Sequence, residues 1–289
     1  MNDVNYVVIT PVRDEELYLE KTIQAMVGQT IIPQQWIIVN DGSQDRTGGI
    51  IDTYAAQYPW ITACHRRDRG FRKAGGGVIE AFYDGYARIK DAEYAFIVKL
   101  DGDLSFERTY FSGCFERFAQ NPHLGIAGGT ILNDVNGKFL GEPSPRFHVR
   151  GATKIYRREC WNAIDGLVRA AGWDTLDEAK ANMKGFETCT FEDLILIHYR
   201  YTGAADGTWK NWVKNGRANY TTGYHPVFFI LKCILRLVQK PFGTMSLGLL
   251  WGFFSGYLDR SAPRPEKELV RYIRNQQMNR LLFRNTIWK

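Results

Sequence analysis

The stretch FIVKLDGDLSF, residues 96–106, sets an apolar run directly against two aspartates that are separated by one glycine. The run belongs to YAFIVKL (94–100), which lacks polar alternation and therefore predicts a buried strand. Asp101 and Asp103 would repel each other at neutral pH unless a cation lay between them, and a hard divalent metal is the usual one. Gly102 allows the backbone to approach a bulky ligand closely. A surface Asp-Gly turn is the common alternative, so the choice between a metal site and a turn depends on the surrounding sequence.

Short apolar runs alternate with segments of helical period throughout the first half of the chain. Further strands are predicted at 6–10 (YVVIT), 36–40 (WIIVN) and 124–132 (LGIAGGTIL). This order predicts an α/β protein with a doubly wound, mostly parallel sheet. The polar segments TPVRDEE, NDGSQDRT and DGD follow strands one, two and three. They therefore meet at the carboxyl edge of the sheet, where such folds bind ligands.

Composition restricts the class of protein and its partners. The chain has 289 residues, 45% of them hydrophobic, and this excludes a disordered protein. Five cysteines without CxxC spacing argue against a zinc site and a disulfide framework, and the N-terminus lacks a signal-peptide pattern. We therefore expect a cytoplasmic chain that begins at Met1. The net charge of +6 admits anionic lipid, phosphorylated small molecules or nucleic acid, but no recognised nucleic-acid motif accompanies it.

Four motifs together resemble the family 2 glycosyltransferases of the GT-A fold. They are VVITPVRDEEL, WIIVNDGSQDRT, RGFRKAGGGVIEAFYDGY and VKLDGDLSF, in the order and spacing of that family, over roughly the first half of the chain. The resemblance implies a hexosyltransferase-type enzyme that moves a sugar, with inversion, from a nucleotide-diphospho-sugar (UDP, GDP or dTDP) to a glycan or lipid-linked acceptor. It also implies Mg²⁺ or Mn²⁺ as cofactor.

The resemblance assigns roles to individual residues of the loops. Asp103 resembles the direct metal ligand, and Asp101 the aspartate nearer the ribose that shares the metal. An acceptor-only carboxylate such as Asp41 can also accept hydrogen bonds from a nucleobase N–H or from ribose hydroxyls. The implied nucleotide pocket comprises Pro11, Val12, Arg13, Glu15, Asp41, Ser43, Asp101 and Gly102, together with Arg69, Arg72 and Lys73, among which the sequence does not choose.

Inversion also requires a base that removes the proton of the acceptor hydroxyl. Members of the family usually carry an acidic residue at the start of a helix that ends in glycine eleven positions later, and Asp174 stands eleven positions before Gly185. The usual Glu-Asp pair is replaced by Trp173-Asp174, which leaves Asp177 and Glu178 as rivals. Helix N-capping is the structural alternative for Asp174.

The second half of the chain is basic and aromatic. His198, Arg200 and Arg217 are candidates to close over the pyrophosphate, because arginine offers phosphate a rigid fork of donors; a solvated basic surface is the alternative. We divide the chain into a nucleotide-sugar half (1–135), an acceptor and base half (136–222) and an amphipathic helical region (223–289). The first two together form the catalytic domain.

Residues 225–258 predict contact with a membrane. Lys232, Arg236 and Lys240 recur every four residues among apolar side chains, as in helices that lie on anionic lipid. Gly248, Gly252 and Gly256 predict a flat face for close helix packing. We expect a peripheral protein on the inner face of the membrane. Otherwise these apolar faces belong to the core or to a contact within a homo-oligomer.

Two other functions share some of these features. A sugar-nucleotidyl transferase has a similar sheet and metal, but it needs a glycine-rich phosphate loop after strand one, and TPVRDEE contains no glycine. A non-catalytic membrane scaffold of the GT-A type would use only the basic C-terminal half. Transfer or hydrolysis of a nucleotide-sugar, with and without divalent metal, separates these possibilities.

Overall fold

A computed structural model describes residues 4–70, 76–90, 93–141, 144–170, 172–200, 208–237, 243–259 and 265–287. The strands are β1 (Tyr6–Val12), β2 (Gln35–Asn40), β3 (Ile61–His65), β4 (Phe96–Leu100), β5 (Leu104–Phe106), β6 (Leu124–Val135), β7 (Lys138–Gly141), β8 (Thr153–Arg157) and β9 (Glu187–His198). The helices are α1 (Leu19–Val27), α2 (Thr47–Gln57), α3 (Gly77–Tyr86), α4 (Tyr110–Gln120), α5 (Arg158–Ala163), α6 (Trp173–Met183), α7 (Thr208–Thr221), α8 (Pro226–Arg236), α9 (Thr244–Leu258) and α10 (Lys267–Leu281).

The strands form one mixed sheet in the order β3-β2-β1-β4-β8-β6-β9-β5, with β7 paired to β6. Strands β3, β2, β1 and β4 are parallel, as the alternating sequence pattern predicts. Strand β8 then runs antiparallel to both β4 and β6, and β5 runs antiparallel to β9. The predicted α/β fold is confirmed, and its second half contains antiparallel pairs that the sequence pattern did not predict.

Helices cover both faces of the sheet. Tyr6 and Val8 of β1 pack into the cluster that contains α1 and α4, whereas Val7 and Ile9 pack into the cluster that contains α3. Because successive strand residues point to opposite faces, this division is what a strand buried on both sides requires. Helix α6 packs on the same side as α3, and its first residue, Trp173, is part of that core.

The C-terminal helices form a smaller apolar cluster of their own. The glycine face of α9 packs on α7, so closely that a Cβ at Gly252 would lie 1.9 Å from the carbonyl oxygen of Val213. Phe229 of α8 stacks on Phe253 of α9 with ring centroids 4.2 Å apart. The flat face predicted for α9 is therefore used within the protein. In the described ranges, no helix combines the length and apolarity needed to cross a bilayer.

Candidate active site

The loops that follow β1, β2 and β3 are joined to one another by hydrogen bonds. Arg13 donates to the carbonyl oxygen of Asp41 and to Oδ1 of Asp68, both at 2.9 Å. The backbone N–H of Asp14 donates to Oγ of Ser43 at 3.0 Å, and that of Glu15 donates to Thr47 at 2.8 Å. The structure thus brings the predicted residues of the first two loops into one cluster at the carboxyl edge of the sheet.

Asp41 places a carboxylate between two arginines of this cluster. It is buried, and its two oxygens accept hydrogen bonds from Arg66 and Arg69. The sequence left Arg69, Arg72 and Lys73 as alternatives for the nucleotide pocket, and Arg69 is in contact with that pocket. Arg66 makes an equivalent contact and was not predicted. Arg72 and Lys73 lie outside the described residues.

The first and third loops also pack tightly. A Cβ at Gly102 would lie 2.3 Å from Cγ1 of Val12, so only glycine fits between the aspartates without displacing β1. Val12 is buried, and Pro11 lies within the same strand, paired with Val39 of β2. Their closeness to the Asp101–Asp103 turn follows from the parallel pairing of β1 with β4.

Asp101, Asp103 and His198 form a group whose ligand atoms all lie within 4.8 Å of one another. Antiparallel pairing of β5 with β9 sets Leu104 opposite His198 and so delivers the histidine to the aspartates. Nε2 of His198 lies 3.1 Å from Oδ2 of Asp103, and Nδ1 lies 3.2 Å from Oδ1 of Asn133. With the proton on Nδ1, the imidazole donates to Asn133 and presents a lone pair beside the carboxylates. Two carboxylates and one such imidazole suit Mn²⁺ or Mg²⁺.

Lys99 compensates part of the charge of this group from inside the sheet. It is buried, forms an ion pair with Asp101 and donates to the carbonyl oxygen of Gly151 at 2.5 Å. Burial raises the pKa of Asp101, and Lys99 opposes this rise while Asp103 adds to it. The sequence did contain a signal for Lys99, because a lysine within a buried strand needs an anionic partner.

The two predicted arginines lie in different places. Arg200 contacts the first loop, since it donates to the carbonyl oxygen of Asp14 at 2.6 Å and pairs with Glu15 at 2.9 Å. Arg217 pairs with Asp259 and so joins α7 to the end of α9. Within the described residues, the ion pairs therefore connect Arg200, and not Arg217, to the candidate nucleotide loops.

Asp174 lies in the first turn of α6, close to the candidate metal group. The N-cap of this helix is Gly172, which has positive φ (82°), so Asp174 is the second residue of the helix and not its N-cap. A Cβ at Gly151 would lie 3.4 Å from Cβ of Asp174, while the carbonyl oxygen of Gly151 accepts from Lys99, the partner of Asp101. One backbone segment thus separates Asp174 from the Asp101 ion pair.

The two rival acids of α6 are fully buried on its inner side. Nζ of Lys154 lies 2.9 Å from Oδ1 of Asp177 and 2.7 Å from Oε1 of Glu178, and it also donates to the carbonyl oxygen of Asp174. The hydroxyl of Tyr156 donates to Asp177, and Nδ1 of His148 lies 2.9 Å from Glu178. We call this group the inner cluster; it consists of Lys154, Tyr156, His148, Asp177 and Glu178. Its contacts hold the start of α6 against strand β8.

Burial and mutual charge perturb the pKa values of the inner cluster. Burial raises the pKa of Asp177 to about 7, with Lys154 opposing the rise and Glu178 adding to it. For Glu178, burial acts upward, but Lys154 and His148 outweigh it and lower the pKa. For Lys154, burial acts downward, and the two carboxylates outweigh it and raise the pKa. Below about pH 7, Asp177 keeps its proton and the ionised pair is Glu178 with Lys154.

The model of the family described as "Glycosyl transferase family 2" matches residues 7–172. An uncharacterized glycosyltransferase, EpsJ, of Bacillus subtilis (strain 168) is 32% identical over 121 residues, which are 42% of this chain and 32% of EpsJ. The minor teichoic acid biosynthesis protein GgaB of the same organism is 36% identical over 146 residues, 47% of this chain and 15% of GgaB. The match thus spans a third of the first relative and less of the second.

Solved structures share the fold. The crystal structure of S. aureus TarS 1-349 in complex with UDP-GlcNAc aligns with a TM-score of 0.55 at 17% identity, covering 88% of this chain and 73% of that one. The mannosyltransferase PcManGT from Pyrobaculum calidifontis, in complex with GDP-Man and Mn²⁺, aligns with a TM-score of 0.55 at 13% identity, covering 97% of this chain and 76% of that one. At these identities the likeness concerns the fold.

Proposed function

Because the chain belongs to glycosyl transferase family 2, we propose that it moves a hexose, with inversion, from a nucleotide-diphospho-sugar to a glycan or lipid-linked acceptor. The observation that carries the proposal is the grouping of Asp101, Asp103 and His198 within 4.8 Å at the carboxyl edge of the sheet. This group lies between the candidate nucleotide loops and Asp174. A nucleotide diphosphate held there would be bordered by a base on its acceptor side.

The nucleoside is proposed to bind among the loops that follow β1, β2 and β3. Asp41 would accept hydrogen bonds from the base, with one of its arginine partners turning to the ligand. UDP, GDP and dTDP are all candidates for the nucleotide. Arg200 is proposed to contact the pyrophosphate, because its guanidinium already reaches the first loop at Asp14 and Glu15.

Asp103, His198 and Asp101 would hold Mg²⁺ or Mn²⁺. When bound, the cation neutralises the charge that develops on the departing diphosphate. Asn133 would keep the His198 ring oriented, since it accepts from Nδ1 and leaves Nε2 for the ligand side. Lys99 would keep the second carboxylate, Asp101, from repelling Asp103.

Asp174 is the proposed base. The acceptor oxygen forms a bond to the anomeric carbon, and its proton passes to the Asp174 carboxylate. The bond from the anomeric carbon to the phosphate oxygen breaks, and the nucleoside diphosphate leaves with the electron pair. Asp177 stays an alternative from the sequence, but it is fully buried and already bound by Lys154 and Tyr156. We therefore assign the base to Asp174.

Nucleotide-sugar turnover tests the proposal. A panel of UDP-, GDP- and dTDP-sugars is incubated with the full chain, with Mn²⁺, with Mg²⁺ or with excess EDTA, and nucleotide release is measured. We expect release from one nucleotide class, its loss in EDTA and in Asp103→Asn, and a fall of about 10²- to 10⁴-fold in turnover in Asp174→Asn with donor binding retained. Undiminished turnover in EDTA or in Asp103→Asn would contradict the proposal.

We also propose that the chain attaches to the inner face of a membrane through α8 and α9. Residues 225–289 contain eleven Lys and Arg but only three Asp and Glu. Leu235 of α8 is 72% exposed, Trp251 of α9 is 66% exposed and Leu258 is 87% exposed, so both helices present apolar side chains outward. Apolar side chains exposed on a cationic region suit the interface of an anionic bilayer.

Flotation with liposomes tests this attachment. Wild type is expected to float with vesicles that contain phosphatidylglycerol, and the double variant Leu235→Glu/Trp251→Glu to stay at the bottom of the gradient. Phe139→Glu, which changes an exposed apolar side chain of β7, serves as the matched control and is expected to float. Wild type that stays with the soluble fraction at low salt would contradict attachment.

A further inference from the structure

A cavity of about 230 Å³ borders Asp174 on the side of the C-terminal helices. Its lining includes Lys232 and Arg236 of α8, Trp212 of α7, and Gly172 and Asp174 at the start of α6. Cavities for whole drug-sized ligands measure roughly 300–1,000 Å³, so this one suits a single headgroup. None of the proposed donor-binding residues lines it.

The cavity carries two cations against one carboxylate. Lys232 and Arg236 are its basic residues and Asp174 is its acid. In the part of the chain that the structure describes, no carboxylate lies within ion-pair distance of either cation; Nζ of Lys232 is 3.4 Å from Oδ1 of Asn219. Burial, together with the charge of Arg236, lowers the pKa of Lys232 to about 8. Two neighbouring cations in such a setting favour an added anion.

Neutral donors supplement the charge. The N-terminus of α6 borders the cavity at Gly172 and Asp174, and a helix N-terminus attracts anions through its free N–H groups. The indole N–H of Trp212 is buried and has no acceptor among the described residues. A ligand with several acceptor oxygens would engage the amine, the guanidinium and the N–H groups of the helix N-terminus together. Phosphate has more such oxygens than carboxylate and fits the donor set better.

We propose that this cavity binds a phosphate group of the acceptor and thereby places the acceptor hydroxyl at Asp174. The inference rests on the proposed function, since it takes Asp174 as the base. Asp174 borders both partners of the reaction, because it adjoins Gly151 beside the Asp101 ion pair and also lines the cavity. The acceptor phosphate therefore lies on the opposite side of the base from the donor diphosphate.

The orientation of α8 fits an acceptor that is attached to lipid. Lys232 packs against the ring of Tyr224, 5.0 Å from its centroid, and so lies on the inner side of the helix. The sequence pattern predicted this lysine on the lipid surface, whereas in the structure it lines the cavity. Leu231, Ile234 and Leu235 take the outward side. An apolar chain could follow that outer surface while its phosphate enters between α7 and α8.

Binding of small probes to the full chain tests the proposal. The probes are sn-glycerol 3-phosphate, D-glycerate and glycerol, titrated by saturation-transfer NMR, and UDP or GDP with Mn²⁺ in parallel. We expect wild type to bind glycerol phosphate in preference to glycerate and glycerol. Lys232→Gln and Arg236→Gln should each weaken that binding about tenfold or more. Lys210→Gln, an exposed lysine of α7, serves as the matched control and should bind as wild type does.

The possible results of these binding experiments overturn different parts of the proposal. Glycerol phosphate that binds Lys232→Gln and Arg236→Gln as it binds wild type, or does not bind wild type, overturns the cavity assignment. Glycerate that binds equally well overturns the choice of phosphate. Loss of binding to phosphatidylglycerol vesicles in Lys232→Gln, without binding of the soluble phosphate to wild type, assigns the cavity to a membrane headgroup and overturns the acceptor role. Failure of nucleotide and Mn²⁺ to bind, with glycerol phosphate still bound, overturns the proposed function alone.

Discussion

Two lysines adjoin the beginning of α6, and their electrostatic settings are opposite. Lys154, below the helix, is fully buried and contacts Asp177 and Glu178, and these carboxylates raise its pKa in spite of burial. Lys232, at the cavity, contacts the amide oxygen of Asn219 and the ring of Tyr224 among the described residues, and burial lowers its pKa to about 8.

The charge of Lys154 therefore stabilises the fold, whereas the charge of Lys232 is suited to binding an anionic ligand. The inner cluster has its counter-charges within the chain, so its lysine serves to hold the strand β8 against α6. Among the described residues, no carboxylate is within ion-pair distance of the cations at the cavity, so its lysine costs stability until an anion binds. Natural proteins retain such unfavourable groups mainly at functional sites. The comparison therefore predicts unequal effects for the same substitution at the two positions.

The largest loss of stability is expected from Lys154→Met. This change removes the cation that Asp177 and Glu178 share and leaves His148 as the remaining basic partner of Glu178. Breaking a buried pair in this way typically costs about 3–5 kcal/mol. Urea unfolding, followed by tryptophan fluorescence, measures the free energy of unfolding. A loss of less than about 1 kcal/mol would show that the inner cluster does not stabilise the fold.

A second prediction concerns pH and the acid of the inner cluster. Folded Asp177 keeps its proton up to a pH of about 7, whereas an unfolded aspartate loses it near ~4. The folded state therefore binds more protons between these values, and its stability falls as pH rises through 7. We expect wild type to lose up to ~1.4 kcal/mol per pH unit relative to Asp177→Asn over this range.

The control for this measurement is Asp193→Asn, which changes an exposed acid. Its stability should run parallel to that of wild type from pH 5 to pH 8. A constant difference between wild type and Asp177→Asn over the same interval would mean that Asp177 is ionised throughout, and the assignment of the ionised pair to Lys154 and Glu178 would be wrong.

The smallest effect is expected from Lys232→Met. The change removes an unfavourable cation and a long contact with Asn219 while it keeps most of the side-chain volume. We expect the free energy of unfolding to change by less than about 1 kcal/mol. An increase is expected rather than a decrease, because the lowered pKa of Lys232 shows that the folded state disfavours its charge. A loss comparable to that of Lys154→Met would mean that Lys232 is a structural charge, and the comparison would no longer hold.

The parallel half of the fold could be predicted because its signals are local. The runs YVVIT, WIIVN and YAFIVKL form β1, β2 and β4, and the polar loops that follow them do meet at one edge. The placement of Asp41, Asp101 and Asp103 at that edge followed from this rule alone. Strand β3 was missed, since ITACH alternates too briefly to be distinguished from a loop.

The second half depends on pairs between distant segments. His198 is 95 residues from Asp103 in sequence and reaches it through the pairing of β5 with β9. The local sequence around either residue does not predict this contact. Strand β8 was missed because TKIYR contains Lys154, whose burial is explained only by the acids of α6. The helical pattern of α8 predicted a row of cations among apolar side chains, but it could not tell which side of the helix the protein would cover.

Binding of Mn²⁺ tests whether Asp101, Asp103 and His198 hold the cation of a nucleotide diphosphate. Electron paramagnetic resonance counts the Mn²⁺ that the full chain removes from solution in the presence of UDP, GDP or dTDP. We expect one Mn²⁺ per chain with the preferred nucleotide, lost in Asp103→Asn and unchanged in Asp193→Asn. Undiminished Mn²⁺ binding in Asp103→Asn, or no binding of Mn²⁺ to wild type with any of the three nucleotides, would contradict this assignment.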